Sequence, residues 1–442
     1  LNTLQDTNSP TSKYQGVKEP IKKIAAFLLG QGSLQIVNAL TGLFLVHTLS
    51  IEAYAQFGLA FGFQSVASAL TNLGFTSTII PLVGSRTEDR SLTGKYVRAA
   101  KRLRDLSFAI VSPVAAIIFL AMAHIHKWSL LVQLGLLASI LISIFYNGSI
   151  ACFSAPLIIY GRIKEYYTPQ TTSSFARLFS SCLLYEAGLL SSWTAALLSA
   201  LSTVVSAHLL SKEGRKLMVW PSADESDAVR EMLRTIMPAM PAIVFAAFQA
   251  QLALLLVAIF GKTSSMAQVA ALSRIGQLFT VLATFNTVVI EPYTAKQARN
   301  GLLNKYLGII VLAGIGCLPL VAVSFLFPNT LLWLLGAKYN SLRGVVGWYV
   351  ASTCISYIAG LMWTMNRSRK WIFWSGAWLE VLLIVLAQTW FVITFGIDTA
   401  EKAVFFSLST SLCYLIAHSY NCFLGFREQD AARPFALESE EA

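Results

Sequence analysis

Charge is what this sequence has least of. Asp, Glu, Lys and Arg make up 12% of its 442 residues, about half the share of an ordinary soluble domain. With 55% hydrophobic residues and a mean hydropathy of +0.62, a soluble core cannot account for the apolar content. Catalytic signatures are missing as well: there is no GxSxG, P-loop, HExxH or GxGxxG, so no catalytic residue, cofactor or metal site is assigned. The six cysteines (Cys152, Cys182, Cys317, Cys354, Cys413, Cys422) form no CxxC and have no histidine at ligand spacing, and they read as small apolar helix residues. His47, His124, His126, His208 and His418 fall toward the ends of apolar runs, where interfacial solvation is their expected role. Asn147-Gly148-Ser149 matches a glycosylation sequon only formally, because it lies inside a span.

What is present is a series of apolar runs, each long enough to cross roughly 30 Å of hydrocarbon as a helix rising 1.5 Å per residue. They predict an all-α integral membrane protein of about twelve transmembrane helices. The expected spans are 24–48, 54–83, 106–125, 129–159, 168–188 and 192–210, then 235–260, 266–292, 306–327, 344–365, 371–395 and 403–424. A polar tail (1–23), a polar linker (211–234) and a second tail (425–442) complete the chain. Residues 1–20 are polar and the first apolar run follows Lys22 and Lys23, so that run is expected to stay as a spanning helix rather than leave as a secretory signal.

The net charge of +11 points to topology rather than to nucleic acid. Lys and Arg crowd alternate connections: Arg86 to Arg104 after the second span, Arg162 and Lys164, Lys212 to Arg234, Lys296 to Lys305, and Arg367 to Lys370. The opposite side carries Lys127, Lys262, Lys338, Arg343 and Lys402. By the positive-inside rule both termini are cytoplasmic, and the basic loops face anionic membrane lipid. A gapless shift of 211 residues lays Leu43-Phe44-Leu45-Val46 on Leu254-Leu255-Leu256-Val257, Thr76 on Thr287 and Pro81 on Pro292, and a shift of 206 lays Pro113 on Pro319. The two sixes then read as parallel repeats, an N-lobe (24–210) and a C-lobe (235–424), with the substrate expected in a central cavity between them.

Polar side chains inside spans are costly unless they face protein or water, so their periodicity marks wet faces. Gln31, Gln35 and Asn38 recur at helical spacing in the first span. Gln64, Ser68 and Asn72 do so in the second, and Ser273, Gln277, Thr280, Thr284 and Thr287 in the eighth. Either these groups only bond helix to helix or they line a hydrated cavity, and the repeat relation between the striped spans favours the cavity. Span seven adds Gln249 and Gln251, too close in sequence to share one face fully. Three charges lie deep: Arg177, Arg274 and Glu380. A guanidinium is charged at any cellular pH and grips phosphate through paired N–H donors, so the two arginines read as an anion site or as packing contacts. Glu380, near the midplane, is a candidate for proton or sodium coupling, or a counter-charge for an arginine. Glu186 and Glu291 sit near span ends and are expected to reach interfacial water.

Tyr54-Ala55-Gln56-Phe57-Gly58, continuing through Leu73-Gly74-Phe75 to Ile80-Pro81, resembles the start of polysaccharide-biosynthesis transporters of the multidrug/oligosaccharidyl-lipid/polysaccharide (MOP) exporter superfamily. Leu331 to Tyr339 (LLWLLGAKY) is similar to that family's short element between its ninth and tenth helices, and Arg274 followed by Pro292 to its eighth helix. The resemblance covers almost the whole chain but matches no sugar-specific residue. It implies a two-lobed, MATE-like bundle in the bacterial cytoplasmic (inner) membrane. Such a flippase moves undecaprenyl-pyrophosphate-linked oligosaccharide between leaflets by alternating access, for lipopolysaccharide or exopolysaccharide synthesis. A polysaccharide polymerase and glycosyltransferases are the implied partners. Two alternatives stay open: a MATE-like cation-coupled drug antiporter, and a membrane-embedded polymerase or glycosyltransferase. Reporter fusions test the topology: an alkaline phosphatase fused after Arg215 is expected to be inactive and one fused after Lys262 active, and the reverse pattern would invert the assignment.

Overall fold

A computed structural model of the chain describes residues 10–83, 89–220, 225–237, 240–277, 279–295, 297, 301–369, 371 and 373–431. Among the described residues it is entirely helical. The elements are α1 (Pro10–Thr48), α2 (Ile51–Asn72), α3 (Ile79–Val83), α4 (Arg90–Ile125), α5 (Leu130–Ile159), α6 (Ile163–Glu186), α7 (Ser192–Lys216) and α8 (Ser226–Ile236). There follow α9 (Met240–Gln249), α10 (Leu252–Phe260), α11 (Thr263–Gln277), α12 (Phe279–Phe285), α13 (Glu291–Ala295), α14 (Leu302–Leu326), α15 (Pro328–Leu335), α16 (Val346–Ser368), α17 (Trp374–Phe395) and α18 (Ala400–Ala431).

Among the described residues, nine helices are long and apolar enough to cross a membrane, and ten if α9 and α10, bent by 51° at their junction, form one pass. The expectation of about twelve exceeds this because α2 and α6, 22 and 24 residues long, have the length of a span but too many polar residues. The expected seventh span (235–260) is broken at Ala250, and the expected second (54–83) ends at Asn72, where Leu73 and Gly74 take left-handed backbone (φ 38° and 78°). The helix expected over 106–125 starts at Arg90, with the Asp89 carboxylate accepting the Ser91 and Leu92 N–H groups at 2.9 Å. Its basic first turns are an amphipathic extension rather than a loop. The linker expected over 211–234 includes the end of α7 and the helix α8.

Two groups of helices emerge. α1, α2, α4, α5, α6 and α7 pack on one another, and α14, α16, α17 and α18 form the centre of the other, with α10 and α11 against α18. They meet where α1 and α2 lie against α9 to α12. Small residues make that approach possible: a Cβ on Gly58 would come 2.5 Å from the Ala270 Cβ, and one on Gly62 would come 3.0 Å from a Leu254 methyl. Close backbone approach through small residues is how helices associate where lipid tails remove the hydrophobic incentive to cluster. At the end of the bundle carrying Ser50, the seam is sealed by Val46, Leu49, Tyr54, Leu335 and Tyr339, all at most 3% exposed. There the Lys338 ammonium donates to the carbonyls of His47 (3.2 Å) and Leu49. At the opposite end α8 straps onto α4: Tyr96 Oη donates to Glu231 at 2.6 Å, Arg98 pairs with Glu225 at 2.6 Å, and Ala228, Met232 and Ile236 are buried.

Arg104 departs most from its sequence reading. Expected in a basic loop, it is fully buried in α4. Its guanidinium donates to Asp105 (2.7 Å) and to the carbonyls of Ile144 (3.1 Å) and Phe145, which ties α4 to α5. It also lies 4.9 Å from the centre of the Phe145 ring and directly against Gly148, where any Cβ would overlap it. That contact explains a glycine in the middle of an apolar helix. Gly148→Ala is expected to destabilise the protein by about 1–3 kcal/mol through overpacking, read as a lower unfolding temperature in detergent; an unchanged temperature would contradict the packing.

Candidate functional site

The polar faces of α1, α2 and α11 converge with α6 and α7 on a cavity of 300 Å³ at the seam between the helix groups. Of the residues singled out in the sequence, Gln35, Asn38, Gln64, Arg177, Arg274 and Gln277 line it. Thr280 from the eighth-span stripe joins them. Thr41, Ser139, Ser199 and Thr203 also line it, and sequence reading did not single them out. Thr41 lies three residues beyond Asn38 on the α1 stripe, so the helical period contained the signal.

Arg274 is 8% exposed. Its Nε donates to Tyr54 Oη at 2.9 Å and its Nη1 to Gln277 Oε1 at 3.3 Å, while the guanidinium carbon lies 5.2 Å and 5.8 Å from the ring centres of Phe61 and Phe57. Tyr54 Oη in turn donates to the Ala270 carbonyl at 3.4 Å. Tyr54 stands in α2 and Arg274 in α11, so this contact joins the two helix groups. Gly42 makes room for it, because a Cβ there would sit 3.1 Å from the Arg274 Cδ. Arg177, from α6, donates through Nη2 to Asn38 Oδ1 at 2.8 Å, and its Nε is buried with no protein partner.

No carboxylate lines this cavity, and neither arginine forms an ion pair among the described residues. Two like charges thus face one enclosed space, neutralised by nothing within it. Amide and hydroxyl groups share the wall. The chemistry this arrangement favours is binding of an anion through N–H donors, beside groups able to hydrogen-bond neutral hydroxyls.

Three of the expected site residues are not brought to this cavity. Gln31 lies on the same face of α1 but about a turn short of the lining, and Asn72 closes α2 beyond it, its Oδ1 buried and unpartnered. Periodicity defines a helical face without defining depth. Glu380 lies in the second helix group, with its Oε2 3.8 Å from His418 Nδ1, and is no counter-charge for either arginine. His418, expected at an interface, is 6% exposed between the rings of Trp363 and Tyr414. Glu291, expected to reach water, is partly exposed, as its partner Arg367 at 2.6 Å is. In the eighth-span stripe Ser273 is exposed and Thr284 half-buried, and the side chain of Thr287 lies outside the described residues.

A second cavity, of 320 Å³, lies within the second helix group at the α9–α10 break and contains no charged side chain. Gln249 and Gln388 exchange amide hydrogen bonds across it (2.9 and 2.8 Å), and Gln388 donates to Thr410 Oγ1 at 2.8 Å. Gln251 is not part of its lining, in keeping with the two glutamines' different faces.

No family model and no curated protein matches this sequence. Solved structures do match its fold. An inward-facing multidrug resistance MATE family transporter of the MOP superfamily superposes with a TM-score of 0.64 at 14% identity, covering 91% of this chain and 96% of that one. The lipid II flippase MurJ in an inward closed conformation gives 0.64 at 15% identity, over 90% and 86%. A mutant of the Vibrio cholerae MATE transporter VcmN gives 0.55 at 16%, over 96% and 98%. The chain therefore shares the helical fold of these solved membrane transporters, and among its described residues nine or ten helices can cross a membrane.

The seam contact has a measurable weight. Tyr54→Phe removes the acceptor of a buried guanidinium N–H and is expected to cost about 1–3 kcal/mol of stability. Unfolding in detergent measures it, and a variant as stable as the parent would show that Arg274 does not depend on Tyr54.

Proposed function

We propose that the protein is a flippase that carries an anionic, lipid-linked oligosaccharide across the bacterial cytoplasmic membrane by alternating access, the class of cargo typified by an undecaprenyl-pyrophosphate-linked repeat unit. The observation that carries this reading is the pair of arginines, without a carboxylate, in the wall of a cavity whose other polar groups are amides and hydroxyls. Two guanidinium groups match the paired oxygens of a pyrophosphate, and the glutamines, asparagine and hydroxyls suit sugar hydroxyls. With the Arg98 end of the bundle in the cytoplasm, the orientation that the positive-inside rule favours, the Tyr54 and Lys338 contacts close the outer side. Release then needs residues 24–210 and 235–424 to rock apart at that side, breaking the Lys338 and Arg274 bridges, while the lipid tail stays in the bilayer. Glu380 beside His418 supplies a proton- or sodium-coupling site away from the cargo, in the second helix group. A drug antiporter with a cationic cargo is disfavoured by the same arginines, since a cation site calls for carboxylates. A polymerase or glycosyltransferase would need acid–base groups on the outer side, and no outer connection is long.

Arg177→Ala and Arg274→Ala, made separately, each remove charged hydrogen bonds worth about 1.5–3 kcal/mol, which corresponds to a roughly tenfold to hundredfold loss of cargo affinity. In cells the expected outcome is less surface polysaccharide and accumulated lipid-linked intermediate, with smaller effects for the lysine variants. Normal polysaccharide in all four variants at normal expression would refute the anion site.

A further inference from the structure

Arg177 belongs to two spaces at once. On one side it lines the central cavity. On the other it lines a separate groove of 150 Å³ between α6 and α7. No other residue is shared between the two. The helical period shows why. Ala196, Ser199 and Thr203 present one face of α7 to the cavity, whereas Leu198, Leu201, Ser202 and Val205 present another to the groove. On α6, Ser173, Ala176, Arg177 and Ser180 follow the i, i+3, i+4, i+7 rule along the groove.

The groove lies on the outside of the bundle. Leu201 and Val205 are 56% and 49% exposed there, and α7 is one of the spanning helices, so this surface faces lipid. Small side chains from α6 thin the wall in front of the guanidinium. Ser202 donates to the Ser173 carbonyl at 2.9 Å and Ser173 bonds Ser206, which satisfies these hydroxyls at one end of the groove. What remains open is apolar, with Arg177 at its floor and Arg177 Nε still without a protein partner.

An amphiphile with its charged head in the central cavity must keep its chain in apolar surroundings, because each exposed CH₂ costs about 0.8 kcal/mol. The chain therefore has to leave through a wall where a cationic side chain and a lipid-facing apolar furrow meet. We propose that the α6–α7 groove seats the head-proximal part of a polyprenyl chain whose phosphates engage Arg177. This rests on the flippase reading and adds to it the place where the lipid passes the wall.

Photolabelling of the full-length protein in proteoliposomes tests it. The probes are a polyprenyl pyrophosphate with a diazirine close to its head and the corresponding diazirine polyprenol without phosphate. The expected result is at least tenfold more labelling of residues 173–180 and 198–205 by the pyrophosphate. That labelling is expected to be lost in Ala176→Phe and in Leu201→Trp, which fill the groove at exposed positions while keeping Arg177. It is also expected to resist competition by an equal amount of phosphatidic acid. Equal labelling of these segments by both probes, or equal competition by phosphatidic acid, would overturn the groove assignment. Strong pyrophosphate-dependent labelling confined to other helices would overturn it too while leaving the flippase reading intact. Absence of any pyrophosphate-dependent labelling would remove both.

Discussion

Arg274 is tied to Tyr54 across the seam between the two helix groups, buried and without a carboxylate to neutralise it. A guanidinium in that position is held by hydrogen bonds to Tyr54 and Gln277 and by the faces of Phe57 and Phe61. Much of the surrounding sequence serves this arrangement. Gly42 leaves it space, Gly58 lets α2 approach α11 closely enough for the Tyr54 hydroxyl to reach, and Tyr54 itself packs against Tyr339 in the closed end of the seam. The contact that closes one side of the bundle is thus made by a residue of the cavity wall, so an anion competing for that guanidinium acts directly on the seam. Under the proposed function, cargo binding and the opening of the bundle share one side chain.

The other deep arginines show how differently the same residue can be used. Arg104 has an adjacent carboxylate and backbone carbonyls, and it holds α4 to α5. Arg177 has one amide partner and an unpartnered Nε. What separates the structural arginine from the two that face the cavity is its carboxylate: Asp105 pairs with Arg104 at 2.7 Å, whereas among the described residues Arg177 and Arg274 are held by neutral groups.

Much of this was legible in the sequence because hydrocarbon enforces simple rules. Spans of 20 or more apolar residues, alternating loop charge, and the stripes Gln35–Asn38 and Gln64 identified the bundle and much of the cavity wall, and Arg177 and Arg274 stood out as charges inside spans. Depth and tilt were not legible. Gln31 and Asn72 share faces with cavity residues but fall beyond its end, and Glu380 lies in a different part of the fold. Arg104 was hidden among basic neighbours of an amphipathic helix extension, and its one trace in the sequence was Gly148, a glycine with no other reason to interrupt α5. Tyr54 was visible only as part of a short family-like turn, since nothing in a linear pattern pairs it with a residue 220 positions away. Polar α2 and α6 fell short of span composition for a reason that only the assembled bundle shows: α2 runs along the seam and lends several side chains to the cavity, and α6 lends it Arg177.

The most direct test of the central claim, that two uncompensated arginines select an anionic lipid-linked cargo, is a leaflet-crossing assay. The protein and its Arg274→Ala variant are reconstituted with a labelled lipid-linked oligosaccharide, and the fraction reaching the far leaflet is followed over time. The parent protein is expected to move the lipid across chemically unaltered, and the variant to do so at least tenfold more slowly. Equal rates in the two proteins, no crossing by the parent, or a lengthened glycan in the product would contradict it.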